Sequence, residues 1–159
     1  MDPRALIGYS DSAYRNATKE RSTSAYVFML ANGPVSWCSR KQPITAMSTT
    51  EAEYIAAAEA AKQAIWIRHF LTAISKHPKQ PTQLGIDNQG ALILSSNPVN
   101  HLRSKHIRIR YHAIRDFIEH GDIKPIYVPT SEMVADGLTK AMKADSFKKA
   151  IQLLQLKSE

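Results

Sequence analysis

Cysteine is nearly absent: Cys38 is the only one, so no internal disulfide can brace the fold and a reducing compartment is the default. In the strand-like stretch PVSWCS it reads as a small buried hydrophobe. No apolar run approaches the length of a membrane span, which argues against a membrane protein, and Met1 to Leu6 holds no secretory h-region. There is no internal repeat, low-complexity tract or interdomain linker. The 159 residues therefore read as one domain over 1–159, with a core from about 5 to 142 and a C-terminal helical extension to about 155. Acidic residues are the scarcer charge, 14 against 21 Lys and Arg, and the surplus of +7 favours a polyanionic partner. With 43% apolar and 22% charged residues, the composition is ordinarily globular and argues against disorder.

What is present is a change of period along the chain. Ala5 to Tyr9 and Ser24 to Leu30 read as strands, and Asn32-Gly33 supplies a turn into a third, Pro34 to Cys38. Three strands without an intervening helix form an antiparallel meander. From Thr49 to Ile74 the pattern is helical and alanine-rich, and two prolines between His77 and Thr82 end it. Gln83 to Asp87 is a fourth strand, with a helix to about Ser95. Ser96 to Arg103 reads as a loop, and Lys105 to His120 as a helix stopped by Gly121. Ile123 to Val128 is a fifth strand, and Ser131 to Gln155 a closing helix with a break near Lys143 to Ser146. The order βββαβα(α)βα predicts an α/β fold: a mixed five-stranded sheet flanked by helices.

Four acids stand out by position. Asp11 ends ALIGYSD, Glu53 lies in STTEAEYIAAAEAA, Asp87 follows LGI, and Asp136 opens DGLTKAM. Most sit where a strand-like run gives way or a helix-like run begins, the zone where open α/β sheets bind ligands. Carboxylates gathered there repel one another unless a cation compensates them, which points to a divalent-metal site. Three have a bland alternative, Asp87 as a helix cap, Asp136 as a complement to a helix dipole and Asp11 as a turn residue in Ser-Asp-Ser, and Glu53 is the hardest to explain so.

The long helix sorts its own glutamates. In phase with Glu53 run Ala57, Ala60, Ala61, Ala64, Ile67 and Leu71, a stripe that brings the helix close to the sheet at the end carrying Glu53. Glu51 follows Ser48 by three, the spacing of a capping box. Thr50 and Glu53 share that spacing, so the stripe assigns Glu53 to the site and Glu51 to structure.

The stretches YSDSAY, RSTSAYVFML, PVSWCSRKQPITAMSTTEAEYIA, AAKQAIWIR, DNQGAL, NPVNHLRSKHIRIRYHAIRD and IYVPTSEMVADGLTK closely resemble the ribonuclease H domain of copia-type long-terminal-repeat retrotransposon polyproteins. They run in family order from about Gly8 to Met142. The resemblance implies a ribonuclease H-like fold and an endonuclease that cuts the RNA strand of RNA–DNA hybrids, leaving 5′-phosphate and 3′-hydroxyl ends. It implies two divalent ions, magnesium or manganese, held by Asp11, Glu53, Asp87 and Asp136, with Asp11 bridging. It also implies that Ser48, Thr49, Thr50, Asn88 and Gln89 touch the nucleic acid. An adjoining reverse transcriptase domain and cytoplasmic virus-like particles complete what it suggests, with no membrane partner. In one respect the chain departs from the family: the loop PTSEMVAD lacks the histidine that many ribonucleases H carry there, and Glu132 is a candidate for part of that role.

The segment HLRSKHIRIRYHAIR carries Arg103, Lys105, Arg108, Arg110 and Arg115. Ile107, Tyr111, Ile114 and Ile118 form its apolar face, so Arg108, His112 and Arg115 project on the other, either as a solvated face or as contacts to phosphate. His106 and His112 lack zinc-site spacing with Cys38, and Trp37 and Trp66 are expected in the core. Two competing functions remain. One is a hybrid-binding or structural module without catalysis; the other is a DNA-cutting transposase or integrase of the same superfamily, which lacks the EYIA match.

Overall fold

The computed structural model describes residues 5–15, 21–74, 78–96 and 113–156. In chain order it has β1 (Ile7–Ala13), β2 (Thr23–Leu30), β3 (Gly33–Lys41), α1 (Thr49–Ala73), β4 (Thr82–Ile86) and α2 (Gln89–Ser96). Then come α3, helical over 113–119 among the described residues, and β5 (Ile123–Tyr127). Two 3-10 turns (Thr130–Glu132 and Val134–Leu138) and α4 (Ala144–Leu153) close the chain. The sheet order is β3-β2-β1-β4-β5, with β1 to β3 antiparallel and β4 parallel to both β1 and β5. This is the mixed five-stranded α/β sheet that the period changes predict.

Neighbouring residues of β2 divide the core between the two faces of the sheet. Phe28 packs into the larger cluster under α1, where Ala57, Ala60, Ala61, Ala64 and Ile67 are all buried. The alanine stripe thus does what its phase predicts and seats the helix directly on the strands. Val27 faces the other way, into a smaller cluster with Val128, Met133, Val134 and Ala135. Buried Gln42 clamps the start of α1 to the sheet, its amide donating to Ser24 Oγ (2.8 Å) and to the Ala52 carbonyl (2.9 Å). An Arg40–Glu59 ion pair fastens the same helix to edge strand β3.

Several expectations shift. The β2–β3 turn is Ala31-Asn32, with φ of 52° and 62°, and Gly33 already begins β3. The first strand runs on to Ala13, so Asp11 is a strand residue paired with Ala25 rather than a turn residue. The continuous helix expected from Ser131 is instead two 3-10 turns followed by α4. Val134 and Ala135 are drawn into the second core cluster, which holds this stretch in tight turns against β2. Trp37 and Trp66 are exposed at 64% and 60%, not core; Trp66 stacks on Phe70 with ring centroids 5.7 Å apart. Cys38 is only partly buried, because β3 is an edge strand. Gly121 stops α3 as expected: at φ +75° it lets its own N–H and that of Asp122 bond back to Ile118 and Phe117. The start of that helix, the loop before it, and Arg103, Lys105, Arg108, Arg110 and His112 lie outside the described residues.

Candidate active site

The parallel pairing of β1 with β4 brings two acids side by side. Asp11 stands one residue beyond Ser10, which pairs with Ile86, and Asp87 follows Ile86 directly. The start of α1 rests on the same end of the sheet, and its second turn presents Glu53. Ligand oxygens of Asp11, Glu53 and Asp87 all lie within 4.8 Å of one another. Asp136, in the second 3-10 turn, is not in that group; its Oδ1 accepts from Lys140 Nζ at 2.5 Å. It still stands close enough to raise the pKa of Asp11.

Each of the three clustered acids is held by a short polar side chain. Ser12 donates its backbone N–H (3.1 Å) and its hydroxyl (2.8 Å) to Glu53 Oε1. Thr139 donates its hydroxyl to Asp11 Oδ2 at 2.6 Å and stands 3.0 Å from the Asp136 carbonyl. Thr130 donates to Asp87 Oδ2 at 3.0 Å. Glu53 Oε2 is buried without a hydrogen-bond partner among the described residues. An ionised oxygen in that state is costly unless something outside the protein pairs with it.

The electrostatics agree with the crowding. Burial first, then Asp11 and Asp87, push Glu53 up to about 8, against the opposing Ser12 hydrogen bonds. Burial also dominates at Asp11, raised to about 6, with Asp87 and Asp136 adding to it and Thr139 and Lys140 opposing. Oxygen-only donors, an excess of negative charge and an unpartnered buried carboxylate oxygen are what a hard divalent cation such as magnesium requires. The residues present fit such an ion.

Glu51 separates from its neighbour as the helix phase predicts. Its N–H donates to the Ser48 cap hydroxyl (3.1 Å), while its Oε2 accepts from the Met47 N–H (2.9 Å), one residue before the cap. The carboxylate is thereby turned back onto the helix start. At Asp87 the helix-capping role has gone to the next residue: Asn88 Oδ1 accepts from the Ala91 N–H at 2.9 Å.

Around the acids, Ser48 and Thr49 are exposed at the start of α1 and Thr50 is half-buried. Asn88 and exposed Gln89 begin α2 beside them, because a Cβ on Gly90 would stand 3.0 Å from Thr50 Cγ2. The two helix starts therefore form one rim. Arg115 Nη2 donates to the Leu94 carbonyl at 3.1 Å, which ties α3 to α2. Four residues of this site were missed in the sequence: Ser12, Thr130, Thr139 and Lys140. Ser12 is signalled by a small hydroxyl beside an acid (SDS) and Thr139 and Lys140 by a polar pair one turn beyond one (DGLTK), while Thr130 has no local signal.

No protein-family model matches the chain. It is 38% identical over 154 residues to the retrovirus-related Pol polyprotein from transposon TNT 1-94 of Nicotiana tabacum, across 96% of this chain and 12% of that protein. The retrovirus-related Pol polyprotein from transposon RE2 of Arabidopsis thaliana is 37% identical over 144 residues, across 90% of this chain and 10% of that protein. The chain thus spans only 12% and 10% of the lengths of these relatives. Among solved structures, LC11-RNase H1 isolated from compost is similar with a TM-score of 0.63 at 16% identity, over 93% of this chain and 99% of that one. LC11-RNase H1 in complex with RNA/DNA hybrid gives 0.59 at 14%, over 84% and 92%. Identity that low speaks for the fold alone. In sequence the chain is similar to a short part of retrovirus-related Pol polyproteins of plant transposons, and its fold is that of ribonuclease H, consistent with a ribonuclease H domain of a copia-type polyprotein.

Proposed function

We propose that this domain is a metal-dependent endoribonuclease that hydrolyses the RNA strand of RNA–DNA hybrids, acting beside the reverse transcriptase of its polyprotein. The observation that carries this reading is the meeting of Asp11, Glu53 and Asp87 within 4.8 Å, with Glu53 Oε2 buried and unpartnered. Asp136 is proposed as the fourth ligand, reached once its ion pair with Lys140 opens. Two divalent ions, when bound, activate water and compensate charge on the departing oxygen.

The protein's part is positional. Ser12 and Thr139 fix Glu53 and Asp11 so that neither swings to solvent, and Thr130 does the same for Asp87. In the hydrolysis, water oxygen bonds to phosphorus as the bond from phosphorus to the 3′-oxygen breaks. The water proton ends on that oxygen, giving 5′-phosphate and 3′-hydroxyl ends. The rim of Ser48, Thr49, Thr50, Asn88 and Gln89 offers short hydroxyl and amide groups to the backbone and 2′-hydroxyls across a minor groove, where RNA differs from DNA.

Cleavage of a labelled RNA–DNA hybrid with magnesium, beside double-stranded RNA and double-stranded DNA, tests the reading. Cutting confined to the RNA of the hybrid, and lost in Asp87→Asn, is the expected result. Tight hybrid binding without cleavage indicates a binding module instead, and cutting of duplex DNA indicates a transposase-like nuclease.

A further inference from the structure

The acid cluster carries its own cation. Lys140 Nζ sits 2.5 Å from Asp136 Oδ1, and this is the ion pair that the four carboxylates make among the described residues. The ammonium is also near enough to Asp11 and Asp87 that both, after the hydrogen bond to Asp136, hold its pKa above the ordinary lysine value. One residue back, buried Thr139 bonds Asp11. A single turn of chain therefore fixes one acid through Thr139 and masks another through Lys140.

On the reading of the cluster as a divalent-metal site, we propose that Lys140 is a positioning residue that competes with the ion for Asp136, weakening metal binding there and speeding metal exchange. An ammonium hydrogen-bonded to a carboxylate oxygen and a divalent ion bound to that oxygen repel at contact distance, so ligation through Asp136 Oδ1 requires Lys140 to leave, and an ion on Oδ2 would still feel its charge. Leaving is feasible. The lysine side chain is 54% exposed, and its flexible four-carbon stem can carry the charge into water. Such a competitor would ease metal turnover beside the loop PTSEMVAD, which has no histidine.

The test is manganese binding to the intact 159-residue chain without nucleic acid, followed by calorimetry and by the electron paramagnetic resonance of free Mn²⁺. Lys140→Met should tighten binding by about tenfold, the scale of one charge interaction at a partly exposed site, and should slow Mn²⁺ release. Lys140→Arg keeps the charge and should stay near wild type. In an Asp136→Asn background the effect of Lys140→Met should shrink, because the contested ligand is gone. A merely structural ion pair would lower the melting temperature of Lys140→Met and leave Mn²⁺ affinity unmoved. A phosphate contact would raise KM for the hybrid, again without moving it. Either result overturns the proposal while leaving the metal site standing, provided Asp87→Asn abolishes Mn²⁺ binding. If Asp87→Asn and Glu53→Gln bind Mn²⁺ like wild type, the metal-site reading itself falls.

Discussion

Ser12 holds Glu53 by two donors aimed at one oxygen, the hydroxyl at 2.8 Å and the backbone N–H at 3.1 Å, both on Oε1. The other oxygen is left buried and unpartnered. Because Ser12 follows Asp11 on β1, the strand that supplies one acid also orients the acid from α1. Ser12→Ala removes the hydroxyl donor and keeps the backbone one. The expected outcome is weaker magnesium affinity, read as a shift of the magnesium dependence of cleavage to higher concentration. Loss of stability should stay at about 1 kcal/mol, measured by urea denaturation. Unchanged magnesium dependence would show that the serine is incidental.

The neighbouring glutamates of α1 should part company on mutation. Glu53→Gln should eliminate turnover with the melting temperature unchanged or raised, since a crowded acid is neutralised. Glu51→Gln should keep most activity, at a stability cost of about 1 kcal/mol or less, because an amide can still accept from the Met47 N–H. Activity assays beside thermal melts of both variants decide it. A dead Glu51→Gln with an active Glu53→Gln would reverse the assignment.

Stability of the metal-free domain should fall as pH rises. Glu53 and Asp11 are raised to about 8 and about 6 from ordinary values of 4.5 and 3.8. A carboxylate raised on folding stabilises the fold in its protonated form; that contribution is complete below the ordinary value and lost as pH climbs through the folded one. In chelator, the melting temperature should therefore decline from near pH 3.8, where Asp11 begins to contribute, to near pH 8, set by Glu53. Saturating magnesium should flatten the decline, and Glu53→Gln should remove its upper part. A flat profile in chelator would contradict the crowding.

Arg115 should behave as a structural residue. Its guanidinium donates to the Leu94 carbonyl, so Arg115→Ala should cost roughly 1.5–3 kcal/mol of unfolding free energy, the range for hydrogen bonds made by charged groups. The slope of log hybrid affinity against log salt should not change. If Arg115 instead contacts phosphate, that slope should flatten by about 0.7–0.9 units.

Local physics made much of the molecule legible in the sequence. The alanine phase after Glu53 determined which face of α1 meets the sheet, Ser48 and Gly121 determined where helices begin and stop, and the period changes determined the order of elements. These signals depend on residues a few positions apart, so they survive in the bare string. Tertiary structure alone decided the rest. Thr139 reaches Asp11 across 128 positions and Thr130 reaches Asp87 across 43, because the 3-10 turns lie against the sheet's second face. Asp87 could cap a helix by its residue type, yet the cap bond is made by Asn88. Trp37 and Trp66 read as core by size, yet an edge strand and the outer face of a helix leave them in solvent. A run of sequence carries its own periodicity, but contacts between distant segments, and what no segment covers, exist only once the sheet has formed.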